Sequence, residues 1–322
     1  MGTSGQKRFI TIGIIVACTL AVLFSRPAPV QAVTTSFLYD LSDFTGPLRY
    51  GGASVFVDKY RNEAYVLSEN IVQVFNDNGM EVYQFTAADT MGTIESLAFD
   101  RDGTIFALTY QNGLSVSTYE ITRLNFRGEV IGHIAITGMP QDFSAFTPVY
   151  MEYHDGRFYI ADSMSLRIVI AGLTGEVQKS YDLIRLLELK ESDRGDIQMG
   201  GFSVDESGNM LFTVPVLFSA SVLSPEGTLR SFGQPGSLPG KFSIASSIIR
   251  DGQGNILVAD KLKSVVNVYN KDFKFLLEFG GRGNAPGNTV VPNGLACDNS
   301  DRLYVTQASN RGVSVFRMRY NN

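Results

Sequence analysis

The chain has 322 residues, of which 44% are hydrophobic and 18% are charged, so a sizeable core is possible and disorder does not dominate. The net charge is −5, from 27 basic and 32 acidic residues, and the acidic body carries no run of Lys and Arg. This balance argues against general binding to nucleic acids or to anionic membranes.

The first 32 residues have the order of a secretory signal peptide. Lys7 and Arg8 precede an apolar run over residues 9–24, which is short for a membrane span. Val30 and Ala32 then place small residues at positions −3 and −1 of a cleavage site. We therefore predict an exported protein, periplasmic or extracellular, that is cleaved after Ala32.

Two alternatives remain open for this segment. It could be retained as a membrane anchor, which would be the protein's one link to a membrane. It could also be a lipoprotein signal in which Cys18 is acylated, although apolar residues follow Cys18 where polar ones are usual. In either case residues 33–322 form the folded domain.

A repeated phrase organises the rest of the chain: an apolar strand, an Asp, a polar turn with Gly, and a second apolar strand. Clear copies surround Asp100, Asp205 and Asp251, and three weaker copies occur elsewhere. One residue of each second strand serves as a mark: Tyr65, Phe106, Tyr159, Leu211, Leu257 and Tyr304. The marks are 41 to 53 residues apart, near the length of a four-stranded propeller blade. The sequence therefore predicts an all-β, six-bladed β-propeller.

A third strand follows each phrase, over residues 71–75, 123–126, 167–170, 221–223, 265–269 and 313–316. Almost nothing follows the last of these, so the fourth strand of blade six must come from elsewhere. We predict that residues 36–41 supply it and close the ring, which removes exposed sheet edges. Residues 181–191 depart from the repeat, and their apolar spacing predicts a short amphipathic helix.

The chain resembles the NHL-repeat family of six-bladed propellers over about residues 50–318. The resemblance is carried by Tyr159-Ile-Ala-Asp162 before 167–170, by Leu257-Val-Ala-Asp260 before 265–269, and by the Gly-rich joints 231–236 and 278–283. It implies an exported binding or scaffold module that works with protein partners in the cell envelope. Recognition in such a fold is expected in the loops.

Catalytic chemistry is poorly represented. His133 and His154 are the only histidines, in an outer strand and a repeat turn, which disfavours zinc-dependent propeller lyases. After cleavage Cys297 would be the single cysteine, and its apolar neighbours predict a buried strand residue. We predict no catalytic residue and no cofactor.

The alternative prediction is a calcium-dependent hydrolase of the lactonase or esterase kind, which would bind the ion with oxygen ligands in the central channel. Counting back from the repeats places Glu95 and Asn293 at inner-strand entrances on opposite sides of the ring. Asp162 and Asp260 end second strands, where family members more often use them to bond backbone amides. These four residues are the candidate calcium ligands.

The leading prediction places a binding face on the loops between second and third strands, which should share one end of the propeller. The loops cover residues 109–114, 162–167, 218–221, 261–264 and 307–311. The candidate binding residues form a mixed aromatic and basic set: Tyr110, Met164, Arg167, Phe218, Lys261, Lys263 and Arg311. We predict a protein partner and no nucleic-acid partner.

Overall fold

The computed structural model describes residues 32–43, 46–48, 52–87, 91–111, 118–143 and 145–321. Six sheets of four antiparallel strands form a ring in which each inner strand contacts the inner strands of its two neighbours. The predicted six-bladed β-propeller is confirmed. All six marks lie on the second strand of a blade, so the predicted register is also correct.

The strands of each blade are given from the channel outwards. Blade one comprises Ser54–Asp58, Glu63–Ser68, Ile71–Phe75 and Glu81–Thr86. Blade two comprises Thr93–Phe99, Ile105–Gln111, Thr118–Leu124 and Val130–Ala135. Blade three comprises Tyr150–His154, Arg157–Asp162, Arg167–Gly172 and Val177–Asp182.

The second half of the ring repeats this order. Blade four comprises Gly201–Val204, Met210–Val214, Ser219–Leu223 and Leu229–Phe232. Blade five comprises Ala245–Arg250, Ile256–Asp260, Val265–Tyr269 and Phe275–Gly280. Blade six comprises Pro292–Cys297, Arg302–Gln307, Val313–Asn321 and, as its outer strand, Ala32–Asp40.

The repeat Asp closes the turn between the inner and second strands. In blade four, Asp205 Oδ1 accepts hydrogen bonds from the backbone amides of Ser207 and Asn209, both at 2.9 Å. Gly208 in the same turn has φ 75°, a conformation that glycine adopts without strain. A short side chain that accepts hydrogen bonds from the turn amides, followed by a Gly, therefore favours a tight turn at this point. The Asp and the Gly recur in the repeat because each blade needs this turn.

The short elements lie in the connections. The predicted helix over residues 181–191 is too long, because residues 181–182 end the outer strand of blade three and the helix covers only Leu183–Leu186. Asp182 caps it by accepting from the amide of Ile184 at 3.1 Å. The remaining elements are a small hairpin and three 3₁₀ turns: Ser42–Asp43 with Gly46–Pro47, Gln141–Phe143, Glu191–Asp196 and Pro215–Leu217.

The core is divided among the blade interfaces. Six apolar clusters are buried in the part of the chain described, and each lies between one pair of adjacent blades. The marks belong to these clusters: Tyr65 packs at the interface of blades one and two, and Tyr159 at that of blades three and four. Apolar surface on both faces of every blade is therefore removed from water only when the ring is complete.

The predicted closure is confirmed, with a longer strand than expected. Ala32–Asp40 pairs antiparallel with Val313–Asn321, from Ala32 opposite Asn321 to Asp40 opposite Ser314. The register shifts between Phe37 and Tyr39, which leaves Leu38 as a bulge. Phe37 packs edge-on against Phe316, with ring centroids 5.8 Å apart. The N-terminal strand is thus held both by backbone hydrogen bonds to the neighbouring strand and by side-chain packing.

The predictions for the N-terminal segment fall outside the described residues, apart from Ala32. These are the signal peptide, its cleavage and the acylation of Cys18. Within the ranges that the structure describes, no helix is long and apolar enough to cross a membrane.

The closing strand provides a stability test. We expect Phe37→Ala to lower the free energy of unfolding by about 2 kcal/mol, because it removes the ring that packs on Phe316. Leu38→Ala is the matched control on the same strand, since Leu38 is exposed at the bulge, and we expect a change within about 0.5 kcal/mol. Urea denaturation followed by circular dichroism measures both; equal losses would contradict closure through Phe37.

Candidate functional site

A cavity of about 470 Å³ occupies the channel at the end where inner strands turn into second strands. All six inner strands line it. This is the opposite end from the strand entrances that sequence counting selected. Its volume lies within the range of small-molecule sites.

Two rings of equivalent positions form the wall. The residues paired with the six marks are Phe56, Ala98, Glu152, Ser203, Ile249 and Ala296. The next residue of each strand adds Val57, Phe99, Tyr153, Val204, Arg250 and Cys297. Glu152 is the only charged member of the first ring, and Arg250 is the only charged member of the second. Turn residues add further charges to the cavity wall: Lys59, Arg101, Asp205 and Glu206.

Glu152 is electrostatically the most unusual group of the cavity. Burial raises the pKa of its carboxyl to about 7, and the ammonium of Lys59 lowers that pKa by a smaller amount. Among the described residues the carboxylate makes no hydrogen bond and no ion pair. The group is therefore partly ionised near neutral pH without a hydrogen bond or ion pair from the described residues.

Ser203 lies at the equivalent position in the neighbouring blade. Its side chain is only 7% exposed, and its Oγ has no hydrogen-bond partner in the part of the protein described. Buried hydroxyls usually have a partner, so this one is an exception that requires an explanation. Nearer the turns, Arg250 Nε lies 3.0 Å from Asp205 Oδ2 and forms an ion pair between blades five and four.

Cys297 is on a strand, as predicted, but it is half-buried at the cavity wall rather than in the core. Its Sγ lies 3.6 Å from the backbone oxygen of Arg250, to which the thiol donates. Burial raises the pKa of this thiol to about 11, so it stays protonated at neutral pH and is a poor nucleophile.

The two Asp residues proposed as calcium ligands are occupied by backbone amides. Asp162 accepts from the amides of Thr147 and Met164, both at 2.9 Å, and from the hydroxyl of Ser165 at 2.6 Å. Asp260 likewise accepts from four amides: Ser243, Ile244, Leu262 and Lys263. Both side chains are fully buried, which is the arrangement of a structural anchor for the loop.

Glu95 and Asn293 lie at β-bulges in the inner strands of blades two and six. Blade one lies between these blades, so the two residues are not on opposite sides of the ring as predicted. Burial raises the pKa of Glu95, whereas Asn293 is exposed. No group of three His, Cys, Asp or Glu that could hold a metal occurs in the described ranges.

The predicted binding residues have different surroundings. Met164 and Phe218 are exposed at the end of the propeller opposite the cavity, and Arg311 Nη1 lies 3.1 Å from Asn284 Oδ1. Tyr110 packs on Tyr119, with ring centroids 4.9 Å apart, and its loop is described only as far as residue 111.

The three remaining candidates are all basic residues, and they are more buried. Arg167 is 12% exposed, 3.8 Å from Asp182 and 4.6 Å from the ring of Phe143. Lys263 is 8% exposed and pairs with Glu278. Lys261 is half-buried, and burial lowers its pKa. Arg167 and Lys263 therefore contribute mainly to internal ion pairs.

Sequence reasoning identified Phe218 but missed the rest of an apolar surface at this end of blades four to six. We call it the apolar strip, and it consists of Val216, Leu217, Phe218, Leu238, Ile244, Leu262 and Val291. Leu262 and Leu238 are the most exposed, at 68% and 64%. Its signal in the sequence was the presence of bulky apolar residues in loops, where polar turn residues are usual.

Hydrogen bonds connect the strip around the turn 261–264 of blade five. Lys261 N donates to Ile244 O at 2.9 Å, and Lys263 Nζ donates to Leu238 O at 3.1 Å. On the other side, Val291 N donates to Ser264 Oγ at 3.4 Å. The loops that carry Leu238, Ile244, Leu262 and Val291 are thus bonded to one another.

Comparison with known proteins supports the fold. No protein-family profile matches the chain. A stretch of 112 residues is 27% identical to Protein brain tumor of Drosophila melanogaster, covering 32% of this chain but only 11% of that protein. Among solved structures, a Bacteroides thetaiotaomicron protein of unknown function superposes with a TM-score of 0.62 at 12% identity, covering 90% of this chain and 76% of that one.

Virginiamycin B lyase from Staphylococcus aureus also superposes, with a TM-score of 0.55 at 9% identity, covering 89% of this chain and 99% of the lyase. At such identities the likeness is one of architecture. The chain is similar to these proteins in being a β-propeller.

The role of Asp162 can be tested against the calcium alternative. We expect Asp162→Ala to lower the free energy of unfolding by about 3 kcal/mol, because buried amides lose their acceptor. Asp142→Ala is the control, since that carboxylate is half-exposed in a surface ion pair. We expect the same urea midpoints with calcium and with chelator. A wild-type midpoint that rises with calcium, together with loss of this rise in Asp162→Ala, would contradict the structural role.

Glu152 should make stability depend on pH. Its pKa is raised from 4.5 to about 7, so the unfolded chain releases the proton first as the pH rises. Wild type should therefore lose up to about 3 kcal/mol of stability between pH 4.5 and 7, a loss that Glu152→Gln should lack. The measurement is urea denaturation from pH 4 to 8. A constant difference between the two proteins across this range would contradict the raised pKa.

Proposed function

We propose that this chain is an exported NHL-type propeller that binds a protein partner through the apolar strip. The strip is the observation that carries the proposal, because single exposed apolar residues are ordinary, whereas several at one end of the ring, most of them on hydrogen-bonded loops, are typical of an interaction surface. A rigid ring beneath it reduces the entropy lost on binding.

Backbone strain supports the same surface. Phe218 and Val291 have φ of 51° and 48°, in the left-handed region that bulky residues rarely occupy. Such conformations are unfavourable by about 1–3 kcal/mol each and cluster at functional sites. Both residues lie in the strip, and Leu166 and Phe273 adopt the same conformation outside it.

The net charge and the N-terminal segment support the kind of partner and its location. A net charge of −5 favours a protein partner over a nucleic acid. The signal-like segment over residues 1–32 supports export, so the partner belongs to the cell envelope. The NHL assignment is supported by the repeat phrase and by the buried Asp162 and Asp260 that end second strands.

The test is partner capture from a native envelope fraction with mild cross-linking. We expect Leu262→Glu and Leu238→Glu to reduce recovery of the partner about tenfold, because a buried unpaired carboxylate would enter the interface. Leu173→Glu is the matched control, since Leu173 is also exposed but lies in a turn of blade three away from the strip.

Three outcomes would count against the proposal. They are full recovery of the partner with Leu262→Glu, equal loss with Leu173→Glu, and recovery of wild type only as a partner-free monomer. N-terminal sequencing of the mature protein tests export separately, and we expect it to begin at Val33.

A further inference from the structure

Five loops at the strip end of blades four to six contain basic residues and no acidic ones. They cover residues 215–218, 233–244, 261–264, 281–291 and 307–311, and their charged residues are Lys241, Lys261, Lys263, Arg282 and Arg311. Other loops at this end of the ring do carry acids, among them Asp43, Glu69, Asp142, Glu188, Glu191, Asp193 and Asp196. A local excess of positive charge therefore surrounds the strip, on a chain whose net charge is −5.

Most of these cations have no carboxylate partner. Lys263 is the exception, because it pairs with Glu278. Within the described ranges no ion pair includes the other four, which we call the cationic set: Lys241, Lys261, Arg282 and Arg311. Burial lowers the pKa of Lys261, because its charged form loses contact with water, and a carboxylate brought next to it would stabilise that form.

The cationic set and the apolar strip lie on the same hydrogen-bonded loops. Lys241 N donates to Leu238 O at 3.0 Å, and Lys261 N donates to Ile244 O at 2.9 Å. Arg282 is on the next joint, which is bonded through the backbone to the turn that contains Lys261. Positive charges and exposed apolar side chains are therefore interspersed on one surface.

We propose that the protein partner presents an acidic apolar segment to this surface, an inference that rests on the function proposed above. Bulky apolar side chains of the segment pack on the strip, and flanking Asp or Glu carboxylates pair with the cationic set. The apolar packing supplies most of the affinity, whereas the opposite charges speed the encounter and fix the register. Since the protein as a whole is acidic, such a segment is attracted to this surface and disfavoured over the rest of the molecule.

Two observations favour carboxylate side chains over the flat surface of an anionic membrane. Three members of the cationic set are half-buried, whereas Leu238 and Leu262 beside them are exposed. Side chains of a bound segment can reach such recessed charges more readily than a plane of lipid headgroups can. The four cations also come from separate loops, whereas membrane recognition typically uses a cluster of neighbouring Lys and Arg residues.

The experiment is selection of short random peptides, displayed on phage, against the full chain. We expect the selected peptides to combine bulky apolar residues with Asp or Glu and to carry a net negative charge. This result is diagnostic, because the overall charge of the protein would select basic peptides. Fluorescence anisotropy then measures the affinity of a selected peptide at about 50 and about 300 mM NaCl, and we expect about tenfold weaker binding at the higher salt.

Charge variants test the pairing directly. Arg282→Glu should weaken the peptide about tenfold, because it replaces an attraction by a repulsion at an exposed position. Lys271→Glu is the matched control, since Lys271 is also exposed and the net charge changes equally, but the residue lies in a turn of blade five at the other end of the ring. We expect the control to change the affinity by less than about twofold. Circular dichroism confirms that each variant is folded.

The outcomes separate this inference from the proposed function. Peptides that Leu262→Glu no longer binds, but that are neutral or basic or that bind Arg282→Glu as wild type, would overturn the acidic segment and leave the strip as a binding surface. Failure to enrich any peptide would also overturn the inference alone, because envelope capture tests the strip independently. Peptides that bind Leu262→Glu unchanged would count against both.

A membrane is the remaining occupant that the test distinguishes. We expect the wild-type protein not to sediment with vesicles of phosphatidylcholine and phosphatidylglycerol. Sedimentation of wild type but not of Leu262→Glu would assign the surface to anionic lipid and overturn the inference.

Discussion

The burial of apolar surface between adjacent blades is the interaction on which the rest of the structure depends. Each four-stranded sheet is apolar on both faces, and the six clusters of the described core lie one to an interface. No blade can bury both faces unless the last meets the first. The pairing of Ala32–Asp40 with Val313–Asn321 makes that closure. Channel, loops and cavity all take their positions from the closed ring.

The closed ring gives its two ends different chemistry. At one end, loops between strands carry exposed apolar side chains such as Leu238 and Leu262. At the other, twelve equivalent wall positions converge on a cavity in which Glu152 is the one charged member of its ring. A carboxylate there is unfavourable for folding, since burial raises its pKa.

Much of the fold could be predicted because the repeat phrase is local. Asp205, Gly208 and the alternation of the flanking strands act within a dozen residues, so the turn and the register can be recognised without tertiary contacts. The site was less predictable. Bulges at Glu95 and Asn293 interrupt the strand register, so counting residues along the strand does not give their positions. Arg167 and Lys263 form ion pairs with carboxylates from other segments, so these basic loop residues are largely internal.

The sequence by itself determined that this protein is a six-bladed propeller closed by its N-terminal strand, because the turn residues and the strand periodicity can be recognised within short, repeated segments. Only the tertiary structure decided which residues meet in the channel. Glu152 and Ser203 are far apart in the chain and unremarkable in their own repeats, yet the ring brings their equivalent positions into one wall. Strand pairing follows local rules, whereas a site depends on where six separate strands converge.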